Sequence, residues 1–172
     1  MSVRRIRLLG DPVLREVARP VEDVDEEVQA LIDDLLDTMY DADGIGLAAP
    51  QIGVPLSVFV YDVREPEVAP GALVNPRLVE TNGQVKEEEG CLSIPDLREI
   101  VPRAERVVVE GLDRDGHEVR LEAEGLLGRC LQHELDHLAG VLFIDRVSPL
   151  KRKMLLNKWS KRESDTSAAR AM

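Results

Sequence analysis

The sequence predicts an α+β protein in which short antiparallel or mixed β-sheets pack around a central buried helix, with one further helix near each end of the chain. Two observations carry this prediction. Apolar residues recur with helical spacing in two separate segments, and short apolar runs divided by glycine and proline lie between those segments. With 172 residues, no internal repeat and no low-complexity linker, the chain suits one domain, which we place at residues 1–163.

Three helices are predicted along the chain. An apolar stripe over residues 24–40, opposite an acidic face, indicates the first. Leucines return at helical spacing over 125–140, and Gly140 is placed to end this second helix. A Ser-Pro pair, typical of an N-cap and a first helical residue, opens a basic helix over 149–163. We expect the remaining residues, 164–172, to form a disordered tail.

Strands are predicted where short apolar runs are bounded by turn residues. The predicted strands are 56–60, 72–74, 77–80, 106–112 and 118–122. An Asp-Arg-Asp-Gly segment between the last two carries the residues of a hairpin turn.

Composition excludes several classes of protein. A formal net charge of −11 and a total of one tryptophan, two tyrosines and two phenylalanines argue against general nucleic-acid binding, including DNA. Two cysteines are too few for a disulfide scaffold. No apolar run approaches the length of a membrane span, and the first residues lack the apolar region of a signal peptide. We therefore expect a cytoplasmic protein that does not associate with membranes.

The segment His133-Glu134-Leu135-Asp136-His137 carries the strongest chemical signal. Histidines four residues apart lie one helical turn apart on the same face, so their imidazoles can bind one metal ion. Glu134 would lie beside that metal, where it acts on the bound water without becoming a ligand. The alternative is a chance pattern on a polar helix face, which the scarcity of histidine, three in the chain, argues against.

A catalytic metal site needs a third protein ligand and an open position. A metzincin would have its third histidine ligand at position 143, where this chain has Phe143. A thermolysin-like protease would use a downstream glutamate as the third ligand, but Glu163 lies near the expected frayed end of the chain. Cys130 projects from the same helix as the histidines and is expected to pack as a small apolar side chain, while His117 belongs to the polar hairpin. Cys91 remains, and a thiolate with two imidazoles suits Zn, Fe, Co or Ni.

Three motifs in this chain together resemble those of peptide deformylases of the bacterial type. The motifs are Gly44-Ile-Gly-Leu-Ala-Ala-Pro-Gln51, Glu89-Gly-Cys-Leu-Ser93 and Gln132-His-Glu-Leu-Asp-His-Leu-Ala-Gly140. The likeness extends from about residue 11 to about residue 151. It implies metal-dependent hydrolysis of the N-formyl group from the initiator formyl-methionine of nascent polypeptides, with release of formate.

The resemblance also implies roles for residues at the metal. Cys91, His133 and His137 are implied to bind one divalent ion, which in this family is usually Fe(II). Glu134 is implied to be the general base that takes a proton from metal-bound water and returns it to the leaving amine. The side-chain amide of Gln51 would help to stabilise the oxyanion.

Further roles implied by the resemblance concern the oxyanion and the substrate. The backbone N–H of Leu92 would be a second oxyanion donor. Arg98 would contact the substrate backbone, Glu89 would line the pocket or orient a metal ligand, and Arg129 would lie at the pocket rim, at a position that relatives can fill with an aliphatic residue. The residues implied to bind substrate are Ile45, Gly46, Glu89, Arg98, Leu126, Arg129 and Cys130.

Two alternative functions and one partner are also considered. An HExxH metalloendopeptidase would cleave an internal peptide bond, and a non-catalytic metal- or peptide-binding module would keep the ion without hydrolysis. The basic helix over 149–163 is a solvated face on one interpretation. On the other, suggested by the resemblance, it docks the protein near the ribosomal exit tunnel.

Overall fold

The computed structural model describes the backbone of residues 2–171 and the side chains of residues 2–167. Its architecture is α+β, with three helices and antiparallel sheets, in agreement with the α+β class that the sequence predicts. The helices are α1 (Glu26–Asp41), α2 (Gly125–Leu138) and α3 (Pro149–Ala171). The strands are β1 (Gly46–Ala48), β2 (Val58–Tyr61), β3 (Gly71–Asn82), β4 (Val85–Cys91), β5 (Ile94–Arg103), β6 (Arg106–Leu112) and β7 (Glu118–Glu124).

The strands form two sheets. Five of them lie in the order β1-β2-β3-β6-β7, and β4 and β5 form a separate two-stranded sheet; every pairing between these strands is antiparallel. Strand β2 is buried on both faces because α1 packs on one side of the five-stranded sheet and α2 on the other. Val58 and Val60 belong to the core shared with α1, whereas Phe59 and Tyr61 belong to the core shared with α2.

Helix α1 forms where its apolar stripe predicts. Asp25 caps the helix by accepting a hydrogen bond from the backbone N–H of Val28 at 3.0 Å. Ile32, Leu35 and Met39 are fully buried against the sheet. Burial of this stripe, rather than the acidic outer face, is what stabilises the helix.

Helix α2 is attached to the body of the protein at its middle and after its C-terminal end. The side-chain amide of Gln132 makes two hydrogen bonds to the backbone of Ala104, at 2.8 and 3.0 Å. After the last turn, Gly140 adopts a φ of +75°, and a Cβ at this position would lie 2.6 Å from the carbonyl oxygen of Arg15. Only glycine fits there, as expected of a helix-ending residue.

Three details differ from the sequence-based expectations. The predicted strands 72–74 and 77–80 form one continuous strand, β3. Asn75, which lies between them, adopts a φ of +50°, and its side chain makes two hydrogen bonds to the backbone of Val21 that stabilise this irregular position within the strand. Strands β1, β4 and β5 were not predicted: β1 is only three residues long, and an acidic run hides the alternation of β4.

The third difference concerns the end of the chain, where the expected disordered tail is corrected. Helix α3 continues through 164–171, because no glycine or proline interrupts this stretch; the final residue of the predicted tail, 172, lies outside the described residues. In the part of the chain that the structure describes, no helix combines the length and apolar character needed to cross a membrane.

Candidate metal centre and active site

The β4–β5 sheet brings Cys91 against helix α2. The Sγ atom of Cys91 lies 3.4 Å from Nε2 of His137, and this Nε2 lies 3.1 Å from Nε2 of His133. Potential ligand atoms of the three side chains all lie within 4.8 Å of one another. Cys91 is the last residue of β4, next to a break in the strand register between Gly90 and Cys91. The sequence-predicted trio therefore converges.

These spacings fit a metal ion. Around a tetrahedral zinc ion, ligand nitrogens lie about 3.3 Å apart, and a sulfur lies about 3.6 Å from a nitrogen. The Nδ1 atom of His133 lies 2.6 Å from Oε2 of Glu89. Because a carboxylate only accepts hydrogen bonds, Nδ1 carries a proton, and Nε2 is the nitrogen that faces Cys91 and His137 and can bind a metal ion once it has lost its own proton. The donor set is one thiol and two imidazoles, which suits a divalent transition metal.

The carboxylate of Glu89 is almost completely buried and accepts hydrogen bonds from three side chains. Arg103 donates from Nη2 at 2.6 Å and from Nε at 3.1 Å, Arg129 donates from Nη1 at 2.9 Å, and His133 supplies the fourth bond. Burial opposes ionisation of Glu89, but the hydrogen bonds from His133 and Arg103 outweigh it and hold the pKa of this carboxyl well below its usual range.

The ion cluster continues beyond Glu89 to residues that sequence reasoning missed. Arg103 also donates from Nη1 to Asp136 at 2.6 Å, and Arg146 holds the same carboxylate with two bonds at 2.7 and 3.0 Å. Asp136 lies inside the histidine motif, and its acidic side chain on a buried helix was the signal available in the sequence. Its partners were not predictable because they lie on other elements.

The two imidazoles differ in their electrostatic surroundings. Burial opposes protonation of His133, but its hydrogen bonds to Cys91 and Glu89 outweigh that effect and raise its pKa well above the ordinary value. Burial and the neighbouring His133 together lower the pKa of His137 well below the ordinary value. A neutral His137 presents a lone pair, as a metal ligand must.

Glu134 lies beside the trio and is 3% exposed. Burial raises its pKa to about 7, with the nearby charge of His133 acting in the opposite direction. Its Oε1 has no hydrogen-bond partner among the described residues. A carboxyl with a pKa near neutrality suits proton transfer. The space around it depends on Gly46, because a Cβ at that position would lie 2.6 Å from Oε2 of Glu134 and 2.8 Å from Sγ of Cys130.

The amide of Gln51 has a fixed orientation. Its Oε1 accepts a hydrogen bond from the backbone N–H of Ala48 at 3.0 Å, and its Nε2 donates to Oγ of Ser93 at 3.0 Å. The same Nε2 lies 3.7 Å from Sγ of Cys91. The backbone bond to the oxygen therefore turns the two N–H donors of the amide toward the metal centre.

A cavity of about 620 Å³ opens onto this centre. Every residue that the resemblance implies for substrate binding lines it: Ile45, Gly46, Glu89, Arg98, Leu126, Arg129 and Cys130. Gln51, Leu92, Cys91, His133 and Glu134 line it as well. Arg98 is exposed and pairs with Glu88 at 2.6 Å.

The expected position of Arg129 needs correction. It is 5% exposed and lies on the inner wall rather than at the rim, because its guanidinium bonds Glu89. Three other residues were considered and rejected as the third metal ligand. Cys130 is buried and the side chain of His117 is 78% exposed, as expected, and Glu163 pairs with Arg162 on α3.

Comparison with known proteins connects this chain to one family. The family model described as "Polypeptide deformylase" matches residues 3–153. A peptide deformylase from Legionella pneumophila is 48% identical, with a TM-score of 0.90 over 96% of this chain and 98% of that one. The Thermus thermophilus peptide deformylase is 47% identical, with a TM-score of 0.84 over 91% of this chain and 92% of the other.

A third similar structure is the peptide deformylase of Ehrlichia chaffeensis in complex with actinonin. It is 38% identical, with a TM-score of 0.90, and the match covers 95% of this chain and 99% of that one. The family match spans most of the chain, and the similarity in fold and sequence extends over nearly all of it. The chain belongs to the peptide deformylase family.

Proposed function

We propose that Cys91, His133 and His137 hold one divalent transition metal ion in this chain, with Fe(II) as the ion in the cell and Zn, Ni or Co as substitutes. The proposal rests on the convergence of three ligand atoms next to the buried Glu134: Nε2 of His137 lies 3.4 Å from Sγ of Cys91 and 3.1 Å from Nε2 of His133. When bound, the ion would supply Lewis acidity, which lowers the pKa of water and polarises a carbonyl. The reaction is that of the family, hydrolysis of the N-formyl group of formylated peptides.

Glu134 is the general base in this proposal. It accepts a proton from the attacking water and then donates that proton to the leaving amine of the peptide. Burial, which raises its pKa to about 7, suits both halves of this transfer because the group gains and loses a proton with similar ease near neutral pH.

Gln51 and the backbone N–H of Leu92 stabilise the oxyanion that forms from the formyl oxygen. The amide of Gln51 is held in place by Ala48 and Ser93, so its donor is oriented before substrate arrives. Leu92 follows Cys91 directly, and both line the cavity. A preoriented donor stabilises developing charge without reorganisation during the reaction.

The peptide would bind along the cavity wall formed by Ile45 and Gly46, and Arg98 would contact its backbone. The methionine side chain would occupy the inner part of the cavity, next to Leu126 and Cys130. Because the Ehrlichia chaffeensis relative forms a complex with actinonin, we expect the same compound to bind this cavity.

The basic helix α3 offers a surface for contact with the ribosome. Three of its cations pair with acids of the protein body: Lys151 with Glu99, Arg152 with Asp145 and Arg162 with Asp96. Within the described side chains, three exposed lysines of α3 have no ion pair within 4.0 Å: Lys153, Lys158 and Lys161. We propose that these three face the anionic ribosome of the cytoplasm.

This part of the proposal predicts that removing residues 150–172 abolishes co-sedimentation with ribosomes at low salt. Unchanged co-sedimentation would show that α3 does not dock the protein on the ribosome, and it would leave the deformylase reaction itself unaffected.

Formate release tests the proposed reaction. The protein, purified without oxygen and analysed for its metal, is given formyl-Met-Ala-Ser or the acetylated analogue. We expect formate from the first peptide, an intact second peptide, and no internal cleavage by mass spectrometry. Cleavage within either peptide would instead support the metalloendopeptidase. Activity that follows iron content across preparations would support Fe(II) as the working ion.

A further inference from the structure

Among the charged side chains that line the cavity next to the metal centre, carboxylates outnumber arginines. Five carboxylates line it: Asp43, Glu88, Glu89, Asp96 and Glu134. Three of them are exposed or lie near the opening, and each pairs with an exposed or half-buried arginine: Asp43 with Arg64, Glu88 with Arg98 and Asp96 with Arg162. The other two, Glu89 and Glu134, are almost fully buried at the inner end. The inner end is therefore the part of the cavity where uncompensated charge has the largest effect.

Arg129 is the one arginine buried in the cavity wall among the described lining residues. Its Nη1 donates to Oε1 of Glu89 at 2.9 Å and to the carbonyl of Val101 at 3.0 Å. Arg103, the other arginine on Glu89, does not line the cavity. Arg129 is thus the arginine that offsets the charge of Glu89 from within the cavity lining, in addition to His133 and the proposed metal ion.

The position of Arg129 is firmly held. Beyond the bonds to Glu89 and Val101, its Nη2 donates to the carbonyl of Val85 at 3.4 Å, and its Nε lies 3.8 Å from the carboxylate of Glu87. These contacts reach from α2 to both strands of the β4–β5 sheet. A guanidinium held by several partners cannot swing away to admit a competing cation.

We propose that Arg129 is a specificity-determining residue, which balances the inner carboxylates so that the cavity accepts an uncharged first side chain of a formyl peptide and rejects a cationic one. The inference rests on the proposed function, in which that side chain enters the inner cavity. Without the guanidinium, Glu89 and Glu134 would face the ligand with one compensating cation fewer, and an ammonium group would be attracted to them.

Three formyl peptides of equal side-chain length test this proposal: formyl-Met-Ala-Ser and its analogues with norleucine or ornithine in first place. Norleucine is uncharged and ornithine carries an ammonium group. Wild type is expected to prefer both uncharged side chains. In Arg129→Met the ratio of kcat/KM for norleucine over ornithine is expected to fall about tenfold or more, mainly through KM.

Further variants separate charge from packing. Arg129→Gln keeps a hydrogen-bond donor but lacks the charge, so it should behave like Arg129→Met. Arg129→Lys keeps the charge and should restore most of the wild-type ratio. Arg77→Met removes an arginine that is 73% exposed on β3, outside the cavity lining, and should leave the ratio unchanged. Metal content and the unfolding midpoint are measured for every variant.

The proposal is overturned if either neutral variant, folded and carrying metal, keeps the wild-type ratio. It is also overturned if the neutral variants lose activity on all three peptides in equal proportion, since a purely structural role gives that pattern. Absence of formate from formyl-Met-Ala-Ser with wild type is a different result, because it contradicts the proposed function rather than the role of Arg129.

Discussion

The Nδ1 atom of His133 donates a hydrogen bond to Oε2 of Glu89 over 2.6 Å, and both groups are buried. This bond fixes the orientation of the imidazole and leaves its Nε2 facing Cys91 and His137. Carboxylates in this position orient a ligating histidine and increase its basicity. Arg103 and Arg129 also donate hydrogen bonds to this carboxylate, so the ring orientation depends on residues of β4, β5 and α2.

Replacing Glu89 with Gln should weaken metal binding. The amide keeps an acceptor for His133 but loses the negative charge that supports the imidazole, so we expect affinity to fall about 10- to 100-fold. Competition with a chromophoric chelator measures this directly. Glu88→Gln is the matched control, because Glu88 is an exposed neighbour with no bond to a histidine in the described structure. Equal affinities for Glu89→Gln and wild type would contradict the assigned role of the hydrogen bond.

Replacing Glu134 with Gln should abolish turnover while the metal stays bound. The amide has nearly the same shape but cannot accept the proton of the attacking water, so kcat is expected to fall about 10²- to 10⁴-fold. Formate release and metal analysis are measured on the same sample. A variant that keeps wild-type turnover would favour the non-catalytic binding module, and one that loses its metal would place Glu134 among the ligands.

Replacing Gly46 with Ala should damage the active site more than replacing Gly44 with Ala. A Cβ at position 46 would lie 2.6 Å from Oε2 of Glu134, whereas a Cβ at position 44 would lie 2.7 Å from the end of the flexible Leu92 side chain. Displacement of the base is expected to lower kcat about 100-fold, while rotation of Leu92 relieves the other contact. Steady-state kinetics compare the pair. Similar losses in both variants would mean that the contact with Glu134 is not what requires glycine at position 46.

Replacing Arg103 with Met should destabilise the fold. Its guanidinium is buried between Glu89 and Asp136, at 2.6 Å from each, and its removal leaves two buried carboxylates short of a partner. We expect a loss of about 3–5 kcal/mol in the free energy of unfolding. Urea denaturation of the metal-free protein gives this value. Arg77→Met, on the exposed face of β3, should change it by less than about 0.5 kcal/mol. A small effect at Arg103 would show that the cluster contributes little net stability.

Sequence periodicity predicted helices and strands well where apolar residues recur on one face of the element. Strand β6 has the predicted bounds, and α1 differs from the predicted segment by two residues at its start and one at its end. Strands β4 and β5 escaped prediction because the acids of β4 show no apolar alternation. They pair with each other as a hairpin, and the hydrogen bonds of Arg129 to Glu89 and Val85, 40 and 44 residues away along the chain, connect this hairpin to α2.

The histidine motif alone determined that two imidazoles and a carboxylate share one helical turn, since residue spacing on a helix follows from backbone geometry. The motif set also indicated the family. Only the tertiary structure decided that the sulfur of Cys91, 46 residues from His137 along the chain, lies 3.4 Å from its imidazole. It also placed Arg129 inside the cavity on Glu89. Contacts of this kind depend on how β4 and β5 pack against α2, and no local pattern encodes that packing.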